Sequence, residues 1–528
     1  MSGRWLTSSK RVRRRSLVAK SIGTIVAEIA IAHTDRPALW AKGELLSYRQ
    51  LFERAQSMAA AFQDAGTRPG DRVAILSERS TTPYIAILGT LLAGAAYVPL
   101  NVRYPEARNR RIIESSGASV LLCSDLQEAA ARRVLNNLSD IVLVTATNAL
   151  TTRPNTVGGH SKADAGKLAY VFFTSGTTGV PKGVPISHKN VLAYLRGIKS
   201  FVQIAPDDRV MQVVDLTFDL SVHDIFMAWT AGACLYSIPE NGTLLCTRFV
   251  EEHSGTHCLC VPSAAALVNQ AGLLTAGSMA TLKYSLFCGE ALPGVVAENW
   301  AAAAPNSKIF NIYGPTEATV AFSASRYIPG QNNPPAIVSL GEPFPEQRMG
   351  LFDENACLVN DGVGEICLSG SQLTDGYWDA PKITAERFFF TEGERWYRTG
   401  DLGRYVAGEG YAFLGRADRQ VKIRGYRVEL QEIENAVCKA TGSDLAAVVL
   451  WPLDKSGAAM GNIAFVVGGA IDQNALARVS AMLPDYMVPS RIEQLAEMPL
   501  NANGKIDHRA LSEAVVGRQK SDQESVDG

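Results

Sequence analysis

Along the first part of the chain, short apolar runs alternate with longer stretches whose apolar residues recur at helical spacing. Val73–Leu76, Val120–Cys123 and Ile141–Val144 have the length and β-branched content of buried strands, whereas Tyr48–Gln63 and Thr82–Ala93 carry the helical period. Such alternation predicts parallel strands joined by crossover helices, an α/β chain. Cys258–Val261, Ser285–Cys288 and Ile309–Ile312 continue it, each passing into a polar or glycine-rich turn, and in α/β sheets such turns carry the site. After Gly415 the texture changes. A basic stretch, Arg416–Arg427, precedes a helix over Leu430–Ala440, strands over Ala446–Leu450 and Ile463–Val467, and a helix near Asn474–Met482. The expected organisation is a basic tail (1–20), a large multi-subdomain core with αβ layers (21–416), a small mobile α+β domain hinged near Asp418 (417–515), and a polar tail (516–528).

Composition narrows the class. With 47% apolar and 20% charged residues over 528 positions, the chain reads as globular, with a core large enough for two domains. Its 51 basic and 52 acidic residues leave no global field to draw in nucleic acid or a membrane surface, so a neutral or zwitterionic small substrate is expected. The run Tyr84–Asn101 is broken by Gly89, Gly94 and Pro99 and falls short of the ~20 apolar residues of a spanning helix. Nine scattered cysteines make no disulfide framework and suit a reducing cytoplasm. The basic N-terminus reads as a solvated tail, with a transit peptide as the alternative.

The candidate chemistry begins at Tyr170–Gly183, YVFFTSGTTGVPKG. Thr174, Ser175, Gly176, Thr177, Thr178 and Gly179 follow an apolar strand, and such a turn can fold backbone N–H groups and hydroxyls around phosphate oxygens, with Lys182 as a nearby point charge. The order Pro181-Lys182-Gly183 is not that of a nucleotide-kinase P-loop. By itself the stretch is also compatible with a plain surface loop.

This stretch resembles the phosphate-binding motif of the adenylate-forming ligases, the family of acyl- and aryl-CoA synthetases, luciferases and nonribosomal peptide synthetase adenylation domains. LLAGAAYVPLN (Leu91–Asn101), NIYGPTEATV (Asn311–Val320), GEICLSGSQLTDGYW (Gly364–Trp378), YRTGDLGR (Tyr397–Arg404), GRADRQVKIRGYRVEL (Gly415–Leu430) and NANGKID (Asn501–Asp507) look like further family motifs in the family's order. The resemblance implies Mg2+ and ATP as cofactors. It assigns Thr316 to a phosphate, Glu317 to the metal, Tyr313 and Gly314 to the adenine side, Asp401 to the ribose hydroxyls and Arg416 to the ribose or phosphates. A structural salt bridge is the alternative for Asp401 and Arg416. Carboxylate attack on the α-phosphate brings two anions together, so cations rather than a strong base must dominate. Lys505 resembles the catalytic lysine that enters between them, Asp418 the family's hinge, and Gly425 the loop lining its pantetheine tunnel.

Asp219 matches the aspartate with which amino-acid-activating members bind the α-ammonium; capping the following helix is its alternative role. A buried carboxylate without its cation is costly, and a fatty or aryl acid offers none. Matched positions make the remaining pocket Leu220, His223, Cys260, Leu286, Cys288, Ile312, Val320 and Ala321, which suits a small or medium apolar side chain. FDLSVHDIF, LFCGEALP and YGPTEATVA look like the D-alanine-activating ligases, but His223, Cys260 and Ile312 depart from them, and proline or another small amino acid is the alternative. His253, His257, Cys258 and Cys260 have the residue types of a metal site without finger-like spacing; two buried thiols are the preferred account.

Only residues 506–528 follow Lys505, with no carrier motif among them. The expectation is a free-standing ligase that loads a free amino acid onto the phosphopantetheine arm of a separate carrier protein. An acyl- or aryl-CoA synthetase and a non-catalytic nucleotide-binding relative are the rivals. If Lys505 serves the first step alone, Lys505→Ala abolishes amino-acid-dependent ATP–pyrophosphate exchange yet leaves transfer from pre-made adenylate intact; wild-type exchange by the variant refutes that role.

Overall fold

The computed structural model describes residues 20–153, 166–176, 181–239, 245–330, 333–454, 457, 459–500 and 506–516. Thr177, Thr178, Gly179 and Lys505 lie outside them.

Two layered α/β sheets build most of the core. One has six strands in the order Val142–Thr145, Val120–Cys123, Arg72–Leu76, Ala96–Leu100, Leu168–Thr174, Lys182–Ser187, parallel except for the last pair. The other has nine, and its parallel centre runs Lys308–Tyr313, Tyr284–Phe287, His257–Cys260, Arg209–Gln212, Cys234–Ser237, Pro37–Ala41. Strands buried on both faces read as continuous apolar runs, which is why Arg72–Leu76 and Val120–Cys123 were visible in the sequence, whereas Pro37–Ala41, Arg209–Gln212 and Cys234–Ser237 were not singled out. The helices between them start where polar caps allow. Ser47 and Gln50 form a reciprocal capping box for Tyr48–Asp64, and Ser187 and Asn190 do so for His188–Ile198.

A third sheet, antiparallel, joins Gln347–Phe352, Gly364–Gly370, Glu394–Val406, Phe388–Thr391 and Gly410–Arg416. The sequence pattern did not single it out. Its long strand Glu394–Val406 is charged and carries Gly400 and Gly403, and two of its three ladders shift register.

Past this sheet the chain forms a hairpin, Gln420–Ile423 and Tyr426–Glu429, then the helix Leu430–Thr441 on a three-stranded sheet of Leu445–Leu450, Asn462–Val467 and Ile492–Leu495. That unit has its own core around Ile433, Val437, Val448 and Val466. Its helix docks on the large unit through Arg108 and Glu432, 2.6 Å apart and only 6% and 3% exposed. Beside them Tyr426 stacks on Tyr486 at 3.7 Å and meets Phe218 edge-on at 4.7 Å.

Losing one member of a sealed ion pair costs about 3–5 kcal/mol if the other stays sealed. Undocking relieves that cost here. Arg108→Ala is therefore expected to free the small unit, read as faster proteolytic cleavage near Asp418 at an unchanged thermal midpoint of the core. A lower midpoint with unchanged cleavage would place the pair inside the folding unit instead.

Candidate active site

The two α/β sheets and the small unit converge on one cleft. Leu168–Thr174 and Lys182–Ser187 form a hairpin in which Thr174 and Lys182 are paired across the ladder. Ser175 donates its hydroxyl to the Arg427 carbonyl at 2.8 Å. Lys182 lies 3.6 Å from Glu429. Burial lowers the pKa of Lys182 and Glu429 opposes that shift, with neighbouring Arg427 adding to it.

Glu317 sits in the single turn Thr316–Ala318 after the strand Lys308–Tyr313 and is 1% exposed. Tyr377 donates its hydroxyl at 2.6 Å and Arg427 its guanidinium at 2.8 Å. Burial works against the charge, yet Arg427 and these hydrogen bonds bring the carboxyl down to about 2. Glu317 is thus an ionised hard-oxygen donor, but both oxygens are engaged.

A second chain of charge runs beside it. Tyr313 donates to Asp401 at 2.6 Å, Asp401 is ion-paired with Arg416 across a strand ladder, and Arg416 reaches Asp418 at 2.7 Å. The salt bridge weighed as an alternative for Asp401 and Arg416 is therefore present. Burial opposes ionisation of Asp418, but Arg416 outweighs it and its pKa falls below the ordinary value. Gly314 packs so closely on Ala321 that an added Cβ would come within 2.6 Å of its Cα.

Asp219 differs from these carboxylates. It opens the helix Leu220–Trp229 but makes no capping bond with its side chain, which removes the helix-cap alternative. Its Oδ2 is buried without a partner. Burial raises its pKa to about 6, Glu317 adds to the shift, and Thr316, Lys422 and the Val320 amide oppose it. An orphaned, sealed carboxylate oxygen is a seat for a cation.

The matched pocket residues divide. Leu220, Leu286, Cys288, Ile312, Val320 and Ala321 share one apolar cluster. Cys260 pairs with Phe287 in the ladder and so points to the opposite face from Leu286; it packs with Cys258, Phe287 and Trp300 while bordering the cleft with Leu220. His223 is held by the Tyr194 hydroxyl, 2.6 Å from Nδ1, and burial lowers its pKa to about 3, so it presents no charge. Tyr194, Tyr377 and Arg427 were missed as site residues, although Tyr377 and Arg427 lie in motifs that were legible.

The four metal-type residues do not converge. His253 packs against Trp40 at 4.4 Å and His257 lies 3.2 Å from the Gln203 carbonyl; among the described residues no three His, Cys, Asp or Glu gather as a metal site. Between the units lies a cavity of about 550 Å³ lined in part by Tyr104, Phe218, Val261, Ser263, Gly425 and Tyr486. Gly425 has φ +82°, and a Cβ there would meet Val261 at 2.8 Å.

Two buried carboxylates, Glu317 and Glu432, thus tie a small unit to a large α/β core. Residues 26–378 match the model of the AMP-binding enzyme family, and the chain belongs to that family. It is an ATP-dependent ligase with the fold of an adenylation domain. A linear gramicidin synthase of Brevibacillus parabrevis is 36% identical over 511 residues, covering 93% of this chain and 10% of that synthase. Bacitracin synthase 3 of Bacillus licheniformis is 34% identical over 516 residues, 94% of this chain and 8% of that one. The chain thus spans a tenth or less of the length of these two relatives. Vibrio cholerae adenylation domain AlmE, solved with glycyl-adenosine-5'-phosphate, superposes with a TM-score of 0.83 at 29% identity, covering 98% of this chain and 99% of that one. PA1221, an NRPS protein containing adenylation and PCP domains, gives 0.81 at 25% identity over 93% and 84%. No helix among the described residues is long and apolar enough to cross a membrane.

The raised pKa of Asp219 carries a stability consequence. The folded state holds its proton more tightly than the unfolded chain, whose carboxyl titrates near 3.8, so stability is lost as pH rises from about 4 to about 6. Asp219→Asn should therefore stabilise the ligand-free protein above pH 6 by about 2–3 kcal/mol, with the gain vanishing below pH 4. Denaturant titrations of both proteins at pH 4 and 7.5 measure it.

Proposed function

We infer that the chain activates a small or medium apolar amino acid with ATP, forming the aminoacyl adenylate and pyrophosphate, and then passes the aminoacyl group to a phosphopantetheine thiol on a carrier protein. D-alanine, proline and comparable amino acids are the candidate substrates. The observation that carries this reading is the orphaned Oδ2 of Asp219, which suits an α-ammonium and has nothing to offer a fatty or aryl acid. Leu286, Cys288, Ile312, Val320 and Ala321 would enclose the side chain without any fixed charge. In this reading Thr174, Ser175, Gly176 and Lys182, with Thr177, Thr178 and Gly179 of the same turn, hold phosphates, and Thr316 orients the α-phosphate beside Asp219. Asp401 takes the ribose hydroxyls once its grip on Arg416 loosens, and Tyr313 and Gly314 line the adenine side.

Glu317 fits Mg2+ by chemistry, being an ionised carboxylate, but only after Arg427 withdraws from it. Bound there, the ion would neutralise phosphate charge. Lys505 then supplies the cation between carboxylate and α-phosphate. With Arg427 in place the small unit instead completes the cavity of about 550 Å³ whose wall holds Gly425, wide enough for a pantetheine arm. The glycyl adenylate in AlmE and the PCP domain fused in PA1221 support the two halves of this proposal.

Amino-acid-dependent ATP–pyrophosphate exchange across the proteinogenic set plus D-alanine tests it, with exchange expected for one or a few small apolar amino acids. Because the ammonium needs the ionised form of Asp219, the KM for that amino acid should rise about tenfold per pH unit below 6. Exchange confined to fatty or aryl acids would overturn the reading.

A further inference from the structure

Glu290 follows the pocket strand by a few residues, and its carboxylate is shared between the two units. Oε2 accepts the N–H of Ser263 at 2.7 Å, in the first turn of the helix Pro262–Gln270, where unpaired amides and the helix dipole favour an anion. Oε1 accepts the N–H of Gly425 at 2.5 Å, at the tip of the small unit's hairpin. That tip is a two-residue turn with positive φ at both Arg424 and Gly425, the geometry that fits a tight hairpin to twisted strands. It presents the Gly425 N–H outward and lets the backbone press on Val261 without a side chain between. Val261, Ser263 and Gly425 all line the cavity between the units. Arg427, two residues past the tip, reaches Glu317, and its cross-strand partner Lys422 lies close enough to Glu290 to feel its charge.

We propose that Glu290 is a positioning residue for the second half-reaction: a catch that holds the hairpin Gln420–Glu429 against the core in the orientation that builds the thiol cavity, and that takes no part in adenylation. The proposal rests on the two-step function inferred above. Both bonds of the catch are charge-assisted, and losing the carboxylate leaves two amides facing the interface without acceptors. When the small unit turns about its hinge, Gly425 leaves while Ser263 stays, so the catch is specific to one orientation. A plain helix-capping role for Glu290 would use Ser263 alone and weaken both half-reactions together.

The test uses the full chain as wild type, Glu290→Gln and Glu290→Ala, read in three ways. Amino-acid-dependent ATP–pyrophosphate exchange should stay within about twofold of wild type. Single-turnover transfer from the enzyme-bound adenylate to pantetheine should slow by about tenfold or more in Glu290→Ala, with Glu290→Gln, which keeps one acceptor oxygen, in between. Distances between labels on the core and on the small unit, measured without substrate, should broaden toward longer values in the same order. Equal slowing of both half-reactions, or unchanged transfer with unchanged distances, overturns the catch. If the wild type shows no exchange with any amino acid, the functional reading fails on its own and the label distances still decide whether Glu290 holds the hairpin.

Discussion

A carboxylate sealed from water has to meet a cation or give up its charge, and the arrangement of this molecule follows from how four such groups resolve that constraint. Asp401 meets Arg416, Glu317 meets Arg427, and Glu432 meets Arg108. In the latter two the partners lie on different units, so satisfying the buried charge and docking the small unit are the same event. Asp219 has Thr316 and a distant Lys422 but no partner for Oδ2, and its raised pKa records the deficit. In the proposed function this unpartnered oxygen, placed against an apolar pocket, is the seat of the substrate's ammonium group.

The docked orientation has two sides. The hairpin and the helix Leu430–Thr441 face the core, while Ile506 and Leu511, which follow Lys505 in the chain, pack on the far side of the three-stranded sheet with Ala447 and Phe465. In the proposed function the small unit serves two reactions in turn by rotating, and Asp418, gripped by Arg416 and Arg387, is the proposed hinge.

Much of this was legible in the sequence, for identifiable reasons. Strands such as Val120–Cys123 are buried on both faces and announce themselves as unbroken apolar runs. The third sheet did not, because Gly400, Gly403 and the charges of Glu394–Val406 disguise a long strand whose ladders slip twice. Resemblance to the family motif marked Asp219 as a candidate, but only three dimensions show that its side chain leaves the helix end uncapped. Which face Cys260 takes depends on its register with Phe287, which no single strand reveals. The pairing of Arg427 with Glu317 joins positions 110 residues apart in the chain, a relation that local pattern cannot carry.

That last pairing also changes how the site answers to its surroundings. Arg427 belongs to the same chain as Glu317, so its availability is set by the hinge and not by dilution, and a tethered group of this kind competes at an effective concentration on the order of millimolar. If Glu317 holds a divalent ion as proposed, that ion competes with this internal partner, and in that reading its free level shifts how long the small unit stays docked.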